Sequence, residues 1–240
     1  MRLCLCLLCL LLPLVAARAD TIRLVYFPMP SLVDEVDGKA VGAAVDLLKT
    51  LTEGLPTVDQ PMNMPPKRLE RTLLTEKAIA IGLGRSARRE RLGLTWVIEL
   101  FRDDYYFVTM TGHRPIMGLE DARKSARIVC KLGGAPADFL IERGFTNLDY
   151  ATTLQSEAGK LHAGRVDGWF GLRTYIDHTW RSLGYDPDEL HWSNPVPGAV
   201  PIWIAASPLV DPAVIETLRQ RYAALREQGK LDPVFTDHGR

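Results

Sequence analysis

Short apolar runs and helically spaced apolar residues alternate along most of this chain. Thr21 to Phe27 reads as a strand running into a proline-rich loop, Pro28 to Ser31, and Asp37-Gly38 marks a turn. From Ala44 to Leu55, after Gly42, Val45, Leu48 and Leu51 recur near helical spacing. A second helix is expected after Pro65, with Pro66 in its first turn and Leu69, Leu73 and Leu74 on its apolar side. Ala78 to Leu83 is almost wholly apolar, as a strand covered on both faces requires. Strands follow at Tyr105–Met110, Arg127–Leu132, Asn147–Ala151, Val166–Gly171 and Leu190–Ser193. Between them fall helical segments at Pro136–Arg143, Leu154–Ala163 and Thr174–Leu183. Pro195 to Pro201 is expected to break the pattern, which Ile202 to Ala206 resumes. The last helix carries its own punctuation: Asp211 as N-cap, Pro212 in the first turn, a stripe of Ile215, Leu218, Tyr222 and Leu225, and Gly229 to end it. Such alternation predicts an α/β protein with largely parallel sheets, whose ligands sit beyond the carboxyl ends of the strands.

The N-terminus changes where this protein is expected to work. Arg2, the apolar run Leu3 to Val15 and the small-x-small site Ala17-Arg18-Ala19 have the form of a cleaved secretory signal over residues 1–19. Three of the four cysteines lie inside it, so the remaining chain keeps Cys130 alone and forms no internal disulfide; a buried structural thiol is the expected reading. Removing the leader takes Arg2 and Arg18 and no acid, which leaves the 29 acidic residues two ahead of the basic ones. That balance argues against nucleic acid and anionic membranes as partners.

Few stretches carry chemistry. Gly82-Leu83-Gly84-Arg85-Ser86-Ala87 matches a loose G-x-G-x-x-A, but Gly93 and the apolar Leu94 to Leu100 interrupt the helix that a dinucleotide site needs. Arg85, Arg88, Arg89 and Arg91 form a basic cluster just after a core strand. A guanidinium at that sheet edge is able to grip a carboxylate bidentately, helped by backbone N–H groups beside the two glycines. Lys131-Leu132-Gly133-Gly134-Ala135-Pro136 is a second strand–glycine–helix junction, either an anion pocket or an ordinary turn. The five histidines show no metal-ligand spacing, there is no G-x-S-x-G or Walker-type loop, and neither a cofactor nor catalysis is expected.

Three motifs in order resemble the family 3 extracellular solute-binding proteins, the amino-acid receptors of bacterial ABC importers. Gly42-x-x-x-Asp46-Leu47 is similar to that family's first-lobe signature, Arg85-Ser86-Ala87-Arg88-Arg89 stands where it writes Ser/Arg-Thr-Pro-Glu-Arg, and Gly164-Arg165-Val166-Asp167 reproduces its strand entry. The resemblance implies a type II periplasmic-binding-protein fold: lobe 1 from 20–106 plus 200–240, lobe 2 from 107–199, crossing strands at Tyr105–Met110 and Val200–Ala205, and a ligand trapped between lobes. It implies Arg89 as the carboxylate grip, with Gly84 and Ser86 beside it, Tyr26 and Phe27 near an aromatic wall, and Gly133 and Gly134 in the second-lobe turn. It also implies a periplasmic monomer that delivers its solute to an inner-membrane ABC permease.

Two departures bear on the ligand. Where the family places an acid for the α-ammonium, this chain reads Gly171-Leu172-Arg173, so Arg173 joins the candidate site and only Asp104 and Asp167 offer replacements. The second-lobe turn has also lost its hydroxyls. An amino acid and a non-amino organic anion both remain open as ligands. So do a sensor or partner-binding module, which a cleft filled by its own side chains would favour, and a dehydratase-type enzyme, which would need a cleft carboxyl with a strongly raised pKa.

Overall fold

A computed structural model describes residues 21–30, 32–57, 60–125 and 127–235. The expected leader at 1–19 lies outside the described residues. In chain order the elements are β1 (Arg23–Tyr26), β2 (Asp34–Val36), β3 (Lys39–Val41), α1 (Ala43–Thr52), β4 (Met62–Asn63), α2 (Pro66–Thr75), β5 (Ala78–Gly84) and α3 (Ala87–Glu90). They continue with β6 (Thr95–Met110), α4 (Leu119–Arg123), β7 (Ile128–Lys131), α5 (Ala135–Glu142), β8 (Leu148–Ala151) and α6 (Leu154–His162). The chain then runs through β9 (Gly168–Leu172), α7 (Arg173–Ser182), β10 (Leu190–Trp192), β11 (Val196–Ala206) and α8 (Pro212–Glu227).

Nine strands form a mixed sheet ordered β4-β1-β5-β11-β6-β9-β7-β8, with β10 also on β6. The flanks are parallel, β1 with β4 and β5, β7 with β8 and β9, as the strand–helix alternation predicts. The centre is antiparallel. The 16-residue strand β6 pairs with β11 from Thr95↔Ala206 to Tyr105↔Val196, then hands its second half to β9 and β10. At about 3.3 Å per residue it spans roughly 50 Å, so one continuous strand reaches both flanks. The expected break at Pro195–Pro201 is absent. β11 runs through it from Val196: Pro197 and Gly198 fall where the register against β6 shifts between Val196 and Val200, and Pro201 stays in register with Arg102.

Several local expectations are met for identifiable reasons. β5 is buried along its whole length. Asp37 and Gly38 both take positive φ, 50° and 72°, in the tight turn joining β2 to β3. Asp211 caps α8, its side chain accepting from the Ala213 N–H. Helix α2 turns differently from the expected phase: Pro66, Leu69, Glu70 and Leu73 face inward, while Leu74 is exposed. Its buried stripe therefore contains a carboxylate, which matters below.

Candidate functional site

The glycine pair at the end of β5 is occupied by the protein itself. Gly82 has φ 73°, and a Cβ there would lie 1.7 Å from the Met29 methyl carbon. A Cβ on Gly84 would approach Ala135 Cβ to 3.0 Å and Val200 Cγ1 to 3.3 Å. Gly82 thus admits the Met29 side chain, and Gly84 admits Ala135 at the start of α5 and Val200 of β11. The backbone groups here are used too: Gly84 sits in register with Ile202, and the Arg85 N–H donates to the Pro201 carbonyl.

Arg89, the expected carboxylate grip, is only 1% exposed. Its Nε donates to Glu70 Oε1 at 2.7 Å, its Nη1 to the Gly84 carbonyl at 2.7 Å and its Nη2 to the Gly133 carbonyl at 3.2 Å. Arg88 donates through Nη1 and Nη2 to Glu70 at 3.0 and 2.6 Å, and through Nε to Asp138 Oδ1 at 2.8 Å. Ser86 caps α3 by accepting from the Arg89 N–H, and its hydroxyl donates to Asp138 Oδ2 at 3.1 Å. Burial alone would push the Glu70 carboxyl up, but hydrogen bonds and charge from Arg88 and Arg89 outweigh it and hold the pKa below its ordinary value. Asp138, from the first turn of α5, therefore places a carboxylate on the hydroxyl and guanidinium of α3. A carboxylate of the chain stands where a ligand's was expected.

Behind this clamp lies a cavity of about 50 Å³, room for a few waters. Phe27, Gly84, Arg89 and Gly134 line it, together with the rings of Tyr105, Trp169, Phe170 and Tyr175. Tyr105 and Phe170 pack 4.8 Å apart between centroids. Four other expected residues are elsewhere. Tyr26 is buried and donates its hydroxyl to Glu35 Oε2 at 3.2 Å; burial, then the Glu35 charge and hydrogen bond, push its pKa up to about 12. Ser86 and Gly133 belong to the clamp. Arg173 is exposed and stacks over the Tyr106 and Trp192 rings, at 5.2 and 4.7 Å. Arg85 likewise lies over Trp96 and Trp203, at 5.3 and 5.0 Å. Asp104 and Asp167, the proposed ammonium partners, lie outside the cavity lining; Asp167 accepts from the Arg127 N–H instead.

The cavity holds two polar groups that sequence reasoning missed. Glu157, on α6, is 1% exposed, and its Oε2 has no hydrogen-bond partner; the Tyr175 hydroxyl on α7 has none either. Burial pushes the Glu157 carboxyl up to about 8, against the lowering effects of Lys131, Lys160 and a hydrogen bond from Trp169. Burial conversely pulls the Lys131 ammonium down. A signal was present in the sequence: Leu154, Glu157, Ala158 and Leu161 fall at i, i+3, i+4 and i+7, so Glu157 sits on an otherwise apolar stripe. Glu70 shows the same signature beside Leu69 and Leu73.

Phe27, Pro28, Lys131 and Leu154 also border a larger groove of about 680 Å³, within the usual range for small-molecule sites. Its polar walls include Asp34, Glu35, Asn63, Gln155 and His178. Cys130 is buried, as expected, and burial raises its thiol pKa well above the usual range.

By sequence, the chain matches no protein-family model and no curated protein. By structure it is similar to a histidine kinase sensor domain with similarity to periplasmic binding proteins, with a TM-score of 0.78 at 18% identity over 90% of this chain and 95% of that one. It is similar to an ancestral arginine-binding protein bound to arginine, with a TM-score of 0.74 at 15% identity over 90% and 97%. A substrate-binding protein of an ABC uptake transporter from Streptococcus pneumoniae, with bound histidine, superposes at 0.74 and 15% identity over 90% of each chain. The chain has the periplasmic-binding-protein fold that its motifs imply. No helix among the described residues is long and apolar enough to cross a membrane.

Proposed function

We propose that this protein is a periplasmic receptor of the solute-binding type, in which two lobes, 20–106 with 200–240 and 107–199, hinge about β6 and β11. In this reading it acts as a sensor or partner-signalling module that does not carry free amino acids to a permease. One observation carries it: Asp138 bridges Ser86 and Arg88 across the cleft, while Arg89 spends its donors on Glu70 and two backbone carbonyls. The cleft therefore closes on the chain's own carboxylate. A ligand carboxylate would have to displace that contact and the buried Arg89–Glu70 pair, at a desolvation cost that solutes seldom recover. The structural likeness to both a sensor domain and transport receptors is compatible with either downstream partner. Glu157 has the raised pKa of a general acid, but about 50 Å³ beside it leaves no seat for a carboxylate-bearing substrate, so binding is favoured over catalysis.

The test is to open the clamp. For a compact chain of this size a radius of gyration of roughly 17 Å is expected. Asp138→Ala should expand it in small-angle scattering while circular dichroism stays unchanged. The wild type should neither contract nor gain melting temperature with any common amino acid that lacks a side-chain primary amine, so lysine is left out of this panel. Selective stabilisation of the wild type by one of these amino acids would overturn this reading and restore the carrier.

A further inference from the structure

We infer that the cavity bounded by Glu157, Tyr175, Trp169 and Phe170 binds the primary ammonium head of a small amine, with the rest of the ligand lying in the groove beyond Phe27 and Lys131. The inference rests on the receptor reading above and specifies its ligand class.

The argument begins from unmet hydrogen-bonding capacity. Buried polar atoms are paired with few exceptions, and each exception needs an occupant or a role. Glu157 Oε2 and the Tyr175 hydroxyl are both unpartnered, both buried, and both line one small cavity. Ionised, the Glu157 carboxyl accepts and cannot donate, so the occupant that holds it in that form must be a donor, and a charged one offsets its burial best. A tyrosine hydroxyl is able to accept from the same donor. Trp169, Phe170 and Tyr105 add aromatic walls to the cavity, and the Trp169 indole N–H is directed at the Glu157 carboxyl. An anion has Lys131 as its cationic partner in the lining, and that ammonium already acts on Glu157, since the Arg89 donors are directed at Glu70, Gly84 and Gly133.

Every group facing Glu157 is accounted for. Lys131 and Cys130 approach from β7, Lys160 from its own helix, and the Trp169 indole from β9. Lys131 acts on the carboxyl through space and lies 6.0 Å from the Phe27 ring centroid, at the junction of cavity and groove. It is placed to yield the carboxylate to an incoming ammonium. The cavity volume of about 50 Å³ restricts the head group to an ammonium and its first carbons, whereas the groove of about 680 Å³ takes a polar tail.

The experiment is a thermal-shift titration of the chain with ethylammonium, ethanolamine and 1,5-diaminopentane, against acetate, propionate and ethanol as matched controls. The three amines should raise the melting temperature and the controls should not. Because the Glu157 carboxyl titrates near pH 8 while the amines stay mostly charged, amine affinity should rise by more than roughly tenfold from pH 6 to pH 9. Glu157→Gln should remove the shift and its pH dependence, and Tyr175→Phe should weaken affinity without removing that dependence. Stabilisation by carboxylates and not amines, or an amine shift unchanged in Glu157→Gln, would overturn the ammonium site and leave the receptor reading standing. No shift from any compound, with Asp138→Ala expanding as expected, would overturn the site alone. No shift and no expansion would overturn both.

Discussion

Glu70→Ala is expected to lower the unfolding free energy by about 3–5 kcal/mol, because it strands a buried guanidinium. Arg89 is 1% exposed, and Glu70 is the carboxylate on its Nε; the other two bonds go to neutral carbonyls. Without Glu70 the positive charge remains inside, out of reach of water. For a chain of this size the loss corresponds to a fall in melting temperature on the order of 10 °C. A double-mutant cycle isolates the cause: Glu70→Ala with Arg89→Met should be more stable than Glu70→Ala alone, since the stranded charge is gone. A single-mutant loss under about 1 kcal/mol would mean that Arg89 swings out to solvent. The acid limb should move in step. The Glu70 pKa is held below its ordinary value, so its contribution is complete above the unfolded-state pKa and is lost as pH falls through the folded one.

Glu157→Gln should act in the opposite sense, with an effect that grows as pH rises from about 4.5 towards about 8. Its folded pKa, about 8, stands above the ordinary 4.5, so between those values the folded state holds a proton that the unfolded state has released. Stability then declines as pH rises through that window, a change on the order of a few kcal/mol by linkage. A glutamine carries no such penalty. The two proteins should melt alike near pH 4.5 and separate progressively towards pH 8, with Glu157→Gln the more stable. Parallel melting-temperature profiles from pH 5 to 8 would show that Glu157 ionises in contact with water and is no part of a dry cavity.

These two carboxylates show what kind of information the sequence holds. Each lies at helical spacing among apolar residues: Glu70 with Pro66, Leu69 and Leu73, Glu157 with Leu154, Ala158 and Leu161. The pattern is visible in one dimension, but its meaning is not. An acid on an apolar stripe reads equally as an exposed position, if the phase is misjudged as it was for Leu74, and as a buried charge; only a partner across space distinguishes the two. The arginine cluster depends on the same kind of information. Its position after a core strand is visible in sequence, whereas the Arg89 contacts to Glu70 and Gly133 come from 19 and 44 residues away.

Local physics explains which features the chain determined by itself. The all-apolar β5, the Asp37-Gly38 turn and the Asp211-Pro212 cap depend on residues within a few positions of one another, so their energetics are written in short segments. The alternation that these elements belong to carried the α/β class and the parallel flanks. Tertiary structure decided the rest. It ran β11 through Pro197 and Pro201: Pro197 falls in the irregularity against β6, and Pro201 stays opposite Arg102 while its carbonyl accepts from the Arg85 N–H. It also brought Asp138 onto Arg88, 50 residues distant, and Glu157 beside Lys131 and Tyr175. Charge pairing and desolvation act through space, and their sign at a residue is set by neighbours that the linear sequence does not name.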